Sequence, residues 1–127
     1  IKSISREPGS RTKMAVSTND PSIDPIGACI GTKGTRVQVI VDELNGEKID
    51  IVRYSDDPAE FIKASLNPAE VIKLDVDTEH KEAHVIVPVH QLSLAIGKEG
   101  QNARLAARLT GYKIDIKSDD PGSGLLL

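Results

Sequence analysis

The 127 residues contain no tryptophan, and the aromatics are only Tyr54, Phe61 and Tyr112. So sparse a set argues against modules that stack bases on rows of aromatic rings. Cys29 is the only cysteine, which excludes an internal disulfide framework and a cysteine-built zinc site and points to a cytosolic setting. No apolar run approaches the roughly 18 residues that a membrane-spanning helix needs. No charged-then-apolar leader opens the chain, so no secretion signal is expected. Basic charge is not in excess either: 16 Lys and Arg face 19 Asp and Glu, for a net charge of -3. A protein that held nucleic acid by bulk charge alone would be basic. Any polyanion here must be held by backbone geometry and a few placed cations. With 39% apolar and 28% charged residues, the composition is that of a soluble, folded protein of one ordinary domain or two very small ones.

What the chain does have is a repeat. Gly31-Thr32-Lys33-Gly34 and Gly97-Lys98-Glu99-Gly100 lie 66 positions apart, preceded by Ile30 and Ile96. Lys48-Ile49-Asp50-Ile51 returns 65 positions on as Lys113-Ile114-Asp115-Ile116, so one gap lies inside the unit. The period is too long for a solenoid unit, and two copies of one small fold are expected.

The second copy reads completely. Asp57-Pro58 predicts an N-cap with proline at the first helical position, and Phe61, Ile62 and Leu66 form one helical face before Asn67-Pro68. Val71 to Val76 and His84 to Val87 predict a hairpin about a turn at Thr78 to Lys81. Gln91 to Ile96 predicts a short helix stopped by Gly97. Gln101 to Leu109 predicts a strong one ended by Gly111, and Tyr112 to Lys117 a last strand. The first copy matches from its strands onward: Ile1 to Ser5, Thr12 to Ser17, a short helix from the Asp24-Pro25 cap to Ile30, a longer one from Thr35 to Leu44, and a strand from Lys48 to Arg53. Its opening helix is missing, so the sequence is expected to start inside a domain of a longer protein. The link Tyr54-Ser55-Asp56-Asp57 is too short for a flexible tether. Units of about 60 residues are marginal alone, so the two are expected to pack as one rigid body.

A glycine corner between two helices has a definite use. With no side chains at its ends, the loop lets a sugar-phosphate backbone approach. The following helix then points unpaired N–H groups and its positive dipole end at the phosphates. Lys33 and Lys98 sit within the corners, Arg36 follows the first, Arg104 and Arg108 share a face of the second long helix, and Lys48 and Lys113 open the repeated strands. One Gly-x-x-Gly alone is an ordinary turn. Here it occurs twice, each time after isoleucine, before a helix, and upstream of Lys-Ile-Asp-Ile. The glycine spacing does not fit a Rossmann fingerprint, and no Gly-Lys-Ser/Thr sequence exists for a P-loop.

This double pattern resembles tandem KH RNA-binding domains of the bacterial type. The segments Ser5 to Lys13, Gly27 to Gly31, Gly46 to Ile51 and, most specifically, Gln91 to Ala106 resemble the KH pair of NusA-type transcription termination and antitermination factors. The resemblance runs to about Ser118. It implies an α+β fold of two type II KH domains, each a three-stranded sheet packed with helices and joined by a short rigid linker: 1–54, 55–118, and a disordered tail over 119–127. It implies single-stranded RNA, the nascent transcript, clamped in extended form. Its RNA-binding set would be Gly31, Thr32, Lys33, Gly34, Arg36 and Lys48 in the first unit. In the second it would be Gly97, Lys98, Glu99, Gly100, Gln101, Asn102, Arg104 and Lys113, with Ile30 and Ile96 as apolar floor for bases. Glu99 should point away from phosphate or accept a hydrogen bond from a base or 2′-hydroxyl. RNA polymerase, through domains outside this sequence, and other antitermination factors are the implied protein partners of a cytoplasmic monomer without cofactor or membrane.

Other residues carry plainer readings. His80, His84 and His90 span a turn, a strand and a helix start without a cysteine, so no metal is expected. Cys29 has no indicated base and packs as a small apolar residue. Asp56-Asp57 and Asp75-Val76-Asp77 serve caps and turns and lack EF-hand spacing. Arg6, Arg11 and Lys13 flank a turn, where solvation competes with RNA contact. A KH pair used mainly for protein docking is the rival reading, favoured slightly by the acidic balance. A nucleotide-using enzyme lacks a nucleophile–base pair and a metal cluster.

Overall fold

The computed structural model describes residues 1–18, 22–31 and 34–119. Thr32, Lys33 and the expected tail past Asp119 lie outside the described residues. The chain is an α+β protein. Its elements are β1 (Ser3–Glu7), β2 (Arg11–Val16), α1 (Pro25–Ile30), α2 (Thr35–Glu43), β3 (Lys48–Arg53), α3 (Pro58–Ser65), β4 (Lys73–Asp77), β5 (Glu82–Val87), α4 (Leu92–Ile96), α5 (Gln101–Thr110) and β6 (Lys113–Ser118). The predicted caps form. Asp24 accepts from the Ile26 amide and Asp57 from the Ala59 amide, each at 3.1 Å, with proline next in sequence. Gly111, in the left-handed region at φ 78, closes α5, where a side chain would be strained.

Two three-stranded sheets share one topology: β1-β2-β3 and β4-β5-β6, each with an antiparallel hairpin and a parallel third strand. The parallel pairing follows from the connection, because the chain must cross over through two helices before it returns to the sheet. In the second unit the alternating Ala83, Val85 and Val87 of β5 face Ile62, Leu66, Ala95, Ala106 and Tyr112, forming the larger core.

Helices α1 and α2 lie against β3 on one face of the first sheet, while Ile4 of β1 on that face stays exposed. Arg53 reaches the α1 cap at Asp24 from that face. Cross-strand pairing places Ser3, Ala15 and Val52 on the other face, together with Ser5, Lys13 and Asp50. That face meets the second unit. Ala15 and Val52 pack with Phe61 and Leu109 in a second apolar cluster. Ser3 Oγ donates to the Leu109 carbonyl at 3.0 Å. Lys13, fully buried, donates to the Asn67 carbonyl at 3.3 Å and to Asp50 at 3.1 Å. Burial pushes the Lys13 ammonium below its ordinary pKa, while Asp50 acts to raise it. Helix α3 therefore serves two cores, with Ile62 and Leu66 turned to its own unit and Phe61 and Ala64 to the first sheet. The Tyr54 ring of the linker meets Phe61 edge-on, 5.0 Å between centroids.

Two carboxylates pin the β1–β2 hairpin. Glu47 is buried. It accepts from Arg6 Nη2 at 2.8 Å, the Gly9 amide at 2.8 Å and Thr12 Oγ1 at 2.6 Å, and these bonds, Arg6 foremost, hold its pKa at about 2 rather than 4.5. Glu7 is held at about 2 by Arg104 and then Gln101. A carboxyl with a depressed folded pKa stabilises the fold fully above its unfolded pKa and loses that contribution as pH falls through the folded value. Circular dichroism should show the fold intact above about pH 4.5 and weakening between there and pH 2. Glu47→Gln should flatten that acid limb; an unchanged acid profile would show that the Glu47 bonds do not set it.

Candidate nucleic-acid interface

The glycines that open and close the two corners have matching conformations. Gly31 and Gly97 have φ of 77 and 81 with extended ψ, and Gly34 and Gly100 lie in the left-handed region at φ 75 and 78. The first amide of each corner donates one turn back, Gly31 to Gly27 and Gly97 to Ser93, both at 2.8 Å. The last donates across the corner, Gly34 to Gly31 at 3.3 Å and Gly100 to Gly97 at 3.1 Å. Neither α2 nor α5 has a side-chain cap bond, and the first amide of α5, that of Gln101, donates to the Lys98 carbonyl within the corner.

Each corner needs its glycines for two different reasons. A Cβ on Gly31 would lie 2.7 Å from Arg36 Cγ, and one on Gly97 would lie 2.6 Å from the Asn102 amide nitrogen. Those glycines let the next helix pack under the corner. Gly34 has open space around its Cβ position, and Gly100 meets only the Arg104 guanidinium at 3.7 Å. These two leave the outer side of the corner bare. Glu99, the residue before Gly100, is exposed and lies in the left-handed region at φ 56.

The second corner opens on a cleft of about 430 Å³ built by both units. Ser10, Arg11 and Lys48 come from the first unit, and Ser93, Leu94, Gly97 and Lys98 from the second. Lys48 is thus placed beside the second corner. Lys48, Lys98 and Lys113 are exposed and make no ion pair among the described residues. Leu94 is exposed at the rim and Ile96 half-buried. The first corner borders a more open cleft lined by Gly27, Ala28, Gly31, Thr35 and Arg36, with Ile30 half-buried beside it. Arg36 lays its stem against Gly31 and donates to the Ala28 carbonyl at 2.8 Å. Lys113 sits apart from the second corner's cleft, on the open face of the second sheet with His84 and Asp115.

Several other candidate side chains already have partners within the protein. Asn102 is buried and donates to the carbonyls of Ala95 at 2.9 Å and Leu66 at 3.2 Å, tying α5 to α4 and α3. Gln101 donates to Ser10 Oγ at 2.7 Å and Glu7 at 3.1 Å. Arg104 Nη2 donates to Glu7 at 2.9 Å and its Nη1 to the Glu99 carbonyl at 3.0 Å. Arg6 is taken by Glu47, and Arg11 by Asp50 at 2.8 Å. Sequence reasoning assigned no role to Glu7, Glu47, Ser10 or Leu94. Only Leu94 carried a local signal, an apolar side chain in the last turn before Gly97. His80 pairs with Asp77 and His84 with Asp115. Among the described residues no group of three His, Cys, Asp or Glu could hold a metal, and no helix is long and apolar enough to cross a membrane.

Comparison with known proteins sets this geometry in a family. Residues 1–54 match the NusA-like first KH domain and residues 58–122 the NusA-like second KH domain. The transcription termination/antitermination protein NusA of Bacillus subtilis is 60% identical over 94% of this chain, and that of Halalkalibacterium halodurans 58% over 98%. These matches cover 32% and 33% of those proteins, so the chain spans about a third of their length. A solved structure described as the crystal structure of APE1850 superposes with a TM-score of 0.60 at 26% identity, covering 86% of this chain and 80% of that one. The chain belongs to the NusA-like KH family and carries its first and second KH domains in tandem, as the repeat predicts.

Proposed function

We propose that the chain is a non-enzymatic, single-stranded RNA-binding part of a transcription termination and antitermination factor. Two KH units, over 1–54 and 55–118, together hold one extended strand. The observation that carries this reading is the matching conformation of the glycines that open and close the two corners, the last of each with room on its outer side and leading into a helix without a side-chain cap. A KH corner clamps about four backbone nucleotides. Gly31 to Gly34 and Gly97 to Gly100 approach the sugar-phosphate chain, Lys33, Lys48 and Lys98 supply charge, and Ile30, Ile96 and Leu94 meet base faces. Arg36 and Glu99 border the path, and Lys113, on the open face of the second sheet with His84, lies off it. Asn102, Gln101 and Arg104 act mainly by holding the second corner in shape.

The composite cleft supports a continuous path, because Lys48 of the first unit lies beside Lys98 of the second. Two fixed clamps also raise the effective concentration for the second contact. In the cell the strand would be a nascent transcript, the compartment the cytoplasm, and the transcribing polymerase and other antitermination factors the protein partners.

Fluorescence anisotropy with a labelled single-stranded RNA long enough for both clamps tests this. We expect saturable binding that weakens as salt rises, with a shallow slope because few cations are free. Equal affinity for a duplex of the same sequence, or no RNA binding, would favour the protein-docking reading suggested by the acidic net charge.

A further inference from the structure

Glu7 lies at the end of β1 in the first unit, yet its bonds reach into the second. Its carboxylate accepts from Gln101 and Arg104, and Arg108 stands at 3.5 Å. Arg104 does not stop there, since its Nη1 donates to the carbonyl of Glu99, inside the second glycine corner. An unbroken chain of bonds therefore runs from Glu7 through Arg104 to the backbone of the corner. Glu99 is the residue there that most needs such support, as a non-glycine residue in the left-handed region. Glu7 is only about a quarter exposed, at 23% of its side chain, while Arg104 is 41% exposed. Gln101, the first residue of α5, is fixed by the same carboxylate and by Ser10 of the same hairpin.

We infer that Glu7 is a positioning residue: through Arg104 and Gln101, the first unit sets the conformation of the second unit's RNA clamp. The inference rests on the RNA-binding reading above. It differs from a plain interface role in what it demands. A carboxylate that only glued the units together would matter for a strand spanning both clamps. A positioning carboxylate also matters for a ligand too short to leave the second clamp. It runs against simple electrostatics too, since freeing Arg104 by removing Glu7 should tighten RNA binding if charge were all that counted.

The test uses the full chain and a tetranucleotide RNA, with amide shifts at Gly97 and Gly100 reporting the second clamp and those at Gly31 and Gly34 the first. Variants are Glu7→Ala, the milder Glu7→Gln, Arg104→Ala, and Glu7→Ala with Arg104→Ala. We expect Glu7→Ala to weaken the tetranucleotide at the second clamp by roughly five- to tenfold, with Glu7→Gln intermediate. The first clamp should hold its affinity within about twofold. Arg104→Ala should match Glu7→Ala, and the double variant should add little, because one chain of bonds is broken in each. Unchanged or tighter tetranucleotide binding at the second clamp, in either Glu7 variant, overturns the inference. Absence of binding by the unaltered protein at both clamps would instead overturn the RNA-binding reading itself.

Discussion

Aspartate at both Gly34 and Gly100 is expected to lower affinity for an RNA spanning the two clamps by about a hundredfold, at roughly 1.4 kcal/mol per clamp. Each carboxylate would stand where a phosphate is proposed to settle, and each would block the close approach that a bare backbone permits. The fold should survive, because the space at Gly34 is open and a Cβ at Gly100 would meet only the end of the Arg104 side chain, at 3.7 Å. Aspartate is also among the side chains that visit the left-handed region these glycines occupy. The same substitution at Gly31 or Gly97 would be a poor test. There a Cβ meets Arg36 Cγ at 2.7 Å or the Asn102 nitrogen at 2.6 Å, and lost binding could reflect a displaced helix. Single Gly34→Asp and Gly100→Asp variants should each lose about tenfold. Anisotropy titration measures the effect, with circular dichroism showing that the fold is retained. Undiminished affinity in the double variant would remove the clamp mechanism.

The second large effect concerns the union of the two units. Phe61→Ala should destabilise the protein by about 3–4 kcal/mol, because it empties the centre of the cluster formed with Ala15, Val52 and Leu109. It also removes the edge-on contact with Tyr54. The second unit's own core, built on Ile62, Leu66 and Val85, does not include Phe61. The unaltered protein should therefore melt in one calorimetric transition. The variant should show two, the lower belonging to the first unit. Long-strand RNA affinity should fall with it, since the fixed spacing that gives the second contact its advantage is lost. Two transitions in the unaltered protein, or one undisturbed transition in the variant, would show that this cluster does not join the units.

Much of the fold was legible because its signals are local. Asp24-Pro25 and Asp57-Pro58 announce helix starts that form where predicted. Lys48 to Arg53 is the strand its pattern implies, and the repeat foretells a second sheet of the same order. The glycine corners were legible for the same reason, since four residues and their flanks carry the conformation. What could not be read is where cations and amides find partners far along the chain. Glu47 lies 41 positions from Arg6, and Glu7 lies 97 from Arg104. No periodicity encodes such pairs. Lys13 shows the limit most clearly. A lysine beside a turn reads as solvated, yet the second unit covers the sheet face on which it lies, and it ends fully buried between Asp50 and the Asn67 carbonyl. The bonds that candidate site residues make were equally hidden. Asn102, Gln101 and Arg104 stand next to the corner in sequence, and Gln101 and Asn102 line its cleft, yet nothing local shows that they also bond to Leu66, Ser10 and Glu7.

Two glycine corners held at a fixed spacing are proposed to take one RNA strand together. The most direct measurement is the set of amide shifts induced in the intact chain by a single-stranded RNA long enough for both clamps. Gly31, Gly34, Gly97 and Gly100 should move together at one RNA equivalent, with Lys48 and Leu94 shifting at the shared cleft and the outer face of the second sheet around His84 unmoved. Shifts confined to one corner, or centred on that outer face while the corners stay silent, would contradict it.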